Sequence, residues 1–330
     1  MPAKSQPVPE LIAFLDSRVE ELRRLAPKAL RSSEVTAVHQ ARVITRRLKS
    51  AVDLLEPVLP KETREDFKRV LRRLRRALGP LRDNQVMSEH LASYERHAKL
   101  APAARWFSTI LETRRKELQR RAARKAPVQE ILKSLGGWWA MEHDLREGIP
   151  ASKALVKRSV PKCLESFVDR ANHLADLRAK NPSQQHEDVH ALRIDGKLLR
   201  YTLELAVPAG FDVPAPLFRS FKKLQDALGL WHDYVVLGEE CLRAALDEEL
   251  PLHDPHLYGD VLALAARCWR DSEMQLHCFS RLWIKNGASI EADIRGRLGL
   301  VSQTTTKLAG AEPSPAAALL EKPAKIAVRA

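Results

Sequence analysis

Apolar residues recur at the spacing of one helix face along most of the chain. Between residues 10 and 29 they alternate with charges at that period, and Ser32, Ser33 and Thr36 offer caps for the next segment. That segment covers residues 37–56, where Pro57 and Pro60 stop it. A third helix is predicted over 62–78, ended by Gly79-Pro80, since glycine terminates helices and proline cannot continue them. A fourth begins near Arg82 and a fifth covers 103–124. The stretch SLGGWWAMEHDLREGIP, residues 134–150, reads as a connector with a short apolar element. Periodicity is lost from about residue 302, so 301–330, rich in Ala, Pro, Thr and Lys, is expected to be a disordered tail.

The pattern then returns. VHQARVITRRLK, from Val38, is answered by VHALRIDGKLLR, from Val189, 151 residues later. LRRLRRALGPLRDNQV is answered by FKKLQDALGLWHDYVV, in which Leu74, Ala77, Leu78, Gly79 and Asp83 match Leu224, Ala227, Leu228, Gly229 and Asp233 at an offset of 150. Two pairs at nearly one offset describe a helical unit used twice. A period this long is not that of a solenoid repeat. The expected architecture is all-α: two similar helical bundles in tandem, packed side by side about a pseudo-twofold axis, the first over about 7–148 and the second over about 150–300.

Each copy carries cations in helical order. His39, Arg42, Arg46 and Lys49 are spaced three, four, three, and fill one sector of about 80° on a helical wheel. Ala41, Ile44, Leu48, Val52 and Leu55 fill the opposite side. The second copy sets His190, Arg193, Lys197 and Arg200 against Leu192, Leu199, Leu203 and Ala206. On the following helix Arg69, Arg72 and Arg76 keep the same spacing, and their repeat partners are Arg219, Lys222 and Asp226. Nine Lys/Arg against three Asp/Glu between Lys61 and Arg82 leave too few acids for balanced i,i+4 pairing. Arg47, Arg114 and Arg115 are expected on outer faces.

Composition sharpens the picture. In 330 residues, 55 Lys+Arg against 42 Asp+Glu give a net charge of +13, which suggests a polyanionic partner. Aromatics at 5% and only 13 glycines favour helices over sheets. The four cysteines (Cys163, Cys241, Cys268, Cys278) lack C-x-x-C spacing and read as reduced thiols of a cytosolic protein. No run approaches the roughly 18 apolar residues of a membrane span, and MPAKSQPVPE has no apolar signal core. The expectation is a soluble, cytoplasmic chain.

The pattern H-x-x-R-x-x-x-[RK], twice, each time followed by a helix bearing L-G-x-x-[RHN]-D, resembles the CHAD domain, the conserved histidine α-helical domain. The resemblance extends over about residues 7–300 and implies two pseudo-symmetric antiparallel helical bundles around a basic central groove or pore that binds inorganic polyphosphate. Carried onto this chain, it implies contacts from His39, Arg42, Arg46, Lys49 and Arg72, and from His190, Arg193, Lys197, Arg200 and Lys222. Arg69, Arg76, Arg82 and Arg219 are further candidates. No cofactor, metal or catalytic residue is implied, and association with polyphosphate granules is. Sulfate or phosphate is expected to occupy the site in crystals. The second copy departs from the family at Leu198, where a basic residue is frequent.

The chemistry of the residues leads to the same ligand class. Cations lining facing helices repel one another and are costly to desolvate. A phosphate chain relieves both costs: Arg forks onto two oxygens, Lys presents a point charge, and an anion raises the pKa of a histidine. RNA or DNA meets the same charge requirement, but a single-strand binder interleaves aromatics with its basic residues, and this stripe has almost none. The dipeptides His143-Asp144, His232-Asp233 and His253-Asp254 invite comparison with a metal-dependent phosphohydrolase, although no ordered further ligand set accompanies them. Asp83 and Asp233 read as N-caps or arginine partners, and the Trp138-Trp139 pair as packing.

Overall fold

A computed structural model describes residues 10–180 and 186–299. The described chain is helical: α1 (Glu10–Arg31), α2 (Val35–Leu54), a 3-10 turn (Glu56–Val58), α3 (Lys61–Tyr94), α4 (Ala101–Lys125), α5 (Val128–Leu135), α6 (Trp138–Lys180), α7 (His186–Ala206), α8 (Ala215–Asp247), α9 (Leu250–His253) and α10 (Pro255–Arg297). The tail expected from residue 301 lies outside the described residues.

Three hydrophobic cores organise these helices. The first joins α1, α2, the N-terminal half of α3, α5 and the start of α6, through residues such as Ile12, Leu22, Ile44, Leu48, Phe67, Leu74 and Trp138. The second joins the rest of α6 with α7, the first half of α8 and the C-terminal half of α10, through Phe167, Leu192, Leu203, Phe221, Phe279 and Trp283. The third has no forewarning in the periodicity. It is built from the far ends of α3 and α8 together with α4, α9 and the start of α10, around Leu91, Phe107, Leu237, Cys241, Leu264 and Cys268. It draws helices from both copies of the repeated pattern into one apolar body.

That third core explains the largest departure from the sequence reading. Gly79-Pro80 does not end a helix; α3 runs through it for 34 residues, and α8 runs through Gly229 for 33. Pro80 forfeits the N–H that would bond the carbonyl of Arg76. Tertiary contacts on either side outweigh that loss: Ala77, Leu78 and Leu81 are buried, Asn84 Nδ2 donates to the Leu111 carbonyl at 3.0 Å, and Gln85 Nε2 donates to the Ser33 carbonyl at 3.3 Å. Asp83 and Asp233 consequently lie inside helices and are not N-caps. Nor do Ser32, Ser33 and Thr36 cap α2; its N-cap is Glu34, without a side-chain bond, and Ser33 takes a φ of 51°.

Most of the expected connector is also helix, broken only by a turn at Gly136-Gly137 between α5 and α6. Trp138 begins α6, which continues past Pro150 and Pro161 for 43 residues. Its early side chains Trp138, Met141, Leu145 and Leu155 belong to the first core, and those from Val156 onward to the second. Trp138 is buried with its indole N–H donating to Asp16 at 2.7 Å, while Trp139 is exposed. All four cysteines are free thiols, and no described helix is long and apolar enough to cross a membrane.

Candidate anion-binding cleft

Helices α2 and α7 touch, and each packs against the long helix that follows it, α3 or α8. Their apolar faces are sealed: Ala41, Ile44, Leu48 and Val52 on one, Leu192, Leu199 and Leu203 on the other. The basic residues border a cavity of about 330 Å³. Its walls are His39, Arg42 and Arg46 from α2, Arg82 and Asp83 from α3, Arg193 from α7, and His232 and Asp233 from α8. Val43, Val86, Met87 and Val236 complete it. Four helices thus meet at one concavity.

Its cations differ in how they are held. Arg42 is 12% exposed, with Nη2 3.8 Å from Asp83 Oδ1 and Nη1 donating to the Arg75 carbonyl at 3.3 Å. The guanidinium fits there because position 79 has no side chain; a Cβ on Gly79 would lie 3.0 Å from Arg42 Nη1. Burial, with Arg46, Arg75 and Arg82 nearby, pulls the Arg42 pKa to about 10 despite Asp83. The group stays charged at neutral pH, so the shift measures how unwelcome that charge is. Among the described residues Arg46, Arg193 and Lys197 have no carboxylate oxygen within 4.0 Å. Among the described residues Arg193 Nε is buried without a hydrogen-bond partner. Burial, joined by the Arg46 charge, lowers the Arg193 pKa against the opposing pull of Asp233 and Asp83.

Lys197 is not among the cavity walls but lies within electrostatic reach of them. Burial, then Arg193 and Arg46, bring its ammonium pKa down to about 7, with Asp233 opposing. His232 is pushed to about 4 by burial and by Arg193 and Lys197, again against Asp233. His39 is lowered by burial and by Arg82, Arg46 and Arg42, with Glu89 opposing. In each of these groups burial is the larger cause, and neighbouring cations add to it.

The remaining site candidates stand elsewhere or are satisfied internally. Lys49 pairs with Asp53 at 2.5 Å, and Asp53 also takes Lys68 at 2.8 Å. Arg200 donates to Glu204 at 3.0 Å and to Gln225 at 3.2 Å. Arg47, expected on an outer face, bridges to the same Glu204 at 2.7 Å and so ties α2 to α7. Lys222 pairs with Asp226 at 2.6 Å, Arg69 with Asp66 at 2.9 Å and Arg82 with Glu89 at 3.0 Å. Arg72, Arg76 and Arg219 are exposed without an ion pair among the described residues. Arg72 and Arg76 fall on the face of α3 that carries Gly79 and Asp83, at four, three, four spacing. His190 stands just outside the cavity, its ring centroid 5.7 Å from that of His232.

Sequence reading missed His232 as a wall of this cleft. The signal was present, because His232 follows Arg82 by the repeat offset of 150, but the residue read instead as part of a metal motif. Among the described residues no group of three or more His, Cys, Asp or Glu is placed to hold a metal ion. Asp254 caps α10 by accepting from the Leu257 N–H at 2.9 Å.

Comparison with known proteins accords with this architecture. The CHAD domain family matches residues 13–242. The crystal structure of the CHAD domain from the plant Ricinus communis aligns over 92% of this chain and 97% of its own, with a TM-score of 0.56 at 20% identity. PptA from Streptomyces chartreusis aligns over 83% of this chain and 98% of its own, with a TM-score of 0.53 at 16% identity. Both likenesses concern the fold. An uncharacterized protein of Mycobacterium tuberculosis is 28% identical over 282 residues, 79% of this chain; the chain spans about half that relative's length, 51%. With a family match that covers well over half of its residues, the chain belongs to the CHAD domain family.

Proposed function

We propose that the protein binds inorganic polyphosphate in a basic groove between two tandem, pseudo-symmetric helical units. Arg42, Arg46, Arg193 and Lys197 form its centre, and His39, His190, His232 and Arg82 its rim. Arg72 and Arg76 extend the track along α3. The observation that carries the reading is that Arg46, Arg193 and Lys197, from two different helices, converge without a carboxylate within 4.0 Å among the described residues. Burying like charges together is costly unless a counter-charge arrives. A flexible chain with about one negative charge per phosphate supplies it, and it needs no base-stacking surface along the stripe. Lys49, Arg200 and Lys222, which the family resemblance implies as contacts, pair with Asp53, Glu204 and Asp226, and these acids must be displaced before the three can serve. The proposed setting is the cytoplasm and its polyphosphate granules.

The test is a titration of the full chain with long-chain polyphosphate and with RNA of matched charge. Polyphosphate is expected to bind more tightly, with the logarithm of its affinity falling linearly against the logarithm of salt concentration. A salt-independent affinity, or tighter binding of RNA, overturns the reading.

A further inference from the structure

A second concavity of about 390 Å³ adjoins the cationic one and shares His232 and Val236 with it. Its other walls include His190, Trp231, Glu239 and Trp269. Where the first compartment is cationic, this one is aromatic. Trp231 is buried at 3% exposure, whereas Trp269, from α10, is 42% exposed. A large indole left open to water at the edge of a cavity is a ready stacking surface. Trp269 is also held in place: a Cβ on Gly238 would lie 3.1 Å from its Nε1, so the bare backbone there lets the ring lie close against α8.

An anion compartment and an aromatic compartment joined through one histidine match the two ends of a nucleotide. We propose that the cleft also accepts a nucleoside polyphosphate, its base stacked on Trp269 and its phosphates among Arg46 and Arg193. The inference rests on the cationic cleft being an anion site. Stacking tolerates any base, because every base offers a π face. Selectivity comes from Glu239, which is exposed and borders the aromatic compartment. A carboxylate there accepts hydrogen bonds from the N1–H and amino group of guanine, whereas on adenine it meets an unprotonated ring nitrogen. Guanine nucleotides are therefore the preferred class. His232, shared by the two compartments, and His190, whose ring lies 5.7 Å from it, would donate to the phosphate nearest the ribose.

The experiment titrates the full chain with GTP, ATP and inorganic tripolyphosphate at one salt concentration, by calorimetry. All three ligands carry a triphosphate, so the difference between them reports the nucleoside. GTP is expected to bind about tenfold more tightly than tripolyphosphate, the order of a single base–aromatic contact. Trp269→Ala should bring GTP down to the tripolyphosphate level and leave tripolyphosphate unchanged, while Trp269→Phe retains most of the advantage. Glu239→Gln should narrow the gap between GTP and ATP. If tripolyphosphate binds and GTP binds no more tightly, the nucleotide inference falls and the polyanion reading stands. If neither binds, both fall. Loss of affinity for both ligands in Trp269→Phe would make the indole a structural support, which also overturns the inference.

Discussion

Arg42 and Arg193 occupy corresponding places in the two copies of the pattern, yet the protein treats them differently. Arg42 has Asp83 at 3.8 Å and the Arg75 carbonyl at 3.3 Å, in a space opened by Gly79. Arg193 has no carboxylate within 4.0 Å among the described residues and a buried, unpartnered Nε. The same contrast extends along the long helices. Arg76 on α3 is replaced by Asp226 on α8, which pairs with Lys222 at 2.6 Å, while Arg72 and Arg76 have no ion pair among the described residues. Repetition has kept the face on which a cation stands and not what stands beside it. The first half of the cleft holds its central cation with partners of its own; the second half, in the proposed function, leaves that place to a ligand.

The largest effect should come from emptying the centre. Replacing Arg42, Arg46, Arg193 and Lys197 together with Ala is expected to weaken polyphosphate binding by more than about a hundredfold, since charge-assisted hydrogen bonds are worth roughly 1.5–3 kcal/mol each. Helix content should be unchanged, because the apolar faces of α2 and α7 build the cores. Arg47 and Arg114 are poor controls, as they face Glu204 and Glu240. Arg115, Lys116 and Arg120 are exposed on α4 without ion pairs among the described residues and serve instead. Equal losses per charge in the two sets, read by titration with circular dichroism alongside, would dissolve the distinction between a cleft and general basicity.

Single substitutions should then separate the halves. Arg193→Ala is expected to cost about tenfold in polyphosphate affinity with little loss of stability, since it removes a half-buried charge that has no carboxylate partner. Arg42→Ala should cost less affinity and about 1 kcal/mol of stability, because it also strips a bond from the Arg75 carbonyl. Denaturant midpoints and binding isotherms on the same two variants decide it. If Arg42→Ala proves the more damaging to binding, its internal partners do not compete with the ligand.

Acidity should move binding and stability in opposite directions. The Lys197 ammonium titrates near pH 7, depressed by burial and by Arg193, Arg46 and Arg42, with Asp233 on α8 opposing. A phosphate chain stabilises the charged form, so affinity is expected to rise about threefold to tenfold as pH falls from about 8.5 to 6.5. Without ligand the sign reverses. The unfolded chain keeps the Lys197 proton up to the ordinary pKa of 10.5 and the folded chain only to about 7, so stability falls as pH falls through that window. His232 adds the same trend between 6.5 and about 4. Lys197→Met should flatten the higher window. A pH-independent affinity in the parent protein, followed at constant ionic strength, would refute the coupling.

What could be seen in the sequence follows from the range of the forces involved. The seams of α2 and α7 are fixed by local periodicity, so Leu48 and Leu199 are buried where the helical wheel puts them. The acids that occupy Lys49, Arg200 and Lys222 were equally visible at i+4, as Asp53, Glu204 and Asp226, but a stripe read only for its cations passes over them. Gly79-Pro80 misleads for a different reason. Its local preference is to stop a helix, and what overrides that preference is a core assembled from distant segments, around Leu91, Phe107, Leu237 and Leu264. No window of neighbouring residues contains that information. The aromatic compartment was hidden in the same way, because Trp269 reaches the cleft only where α10 packs against α8.

The smallest effect tests the comparison at its finest point, the two matched glycines. Glycine inside a helix costs roughly 0.5–1 kcal/mol relative to alanine, because the unfolded chain loses more freedom on folding. At Gly229 a Cβ would meet nothing within 4 Å, so Gly229→Ala should recover that whole difference as added stability. At Gly79 the new Cβ would stand 3.0 Å from Arg42 Nη1, and the guanidinium must give way by a few tenths of an ångström. Moving it weakens the bond to the Arg75 carbonyl, already long at 3.3 Å, and disturbs the approach to Asp83. Gly79→Ala should therefore gain less stability than Gly229→Ala, or none, and should alter polyphosphate affinity while its counterpart leaves it alone. Chemical denaturation of the two variants side by side measures the first difference and a titration the second. Identical gains from both would mean that Gly79 does not set the position of Arg42, and that the asymmetry between the halves of the cleft has another source.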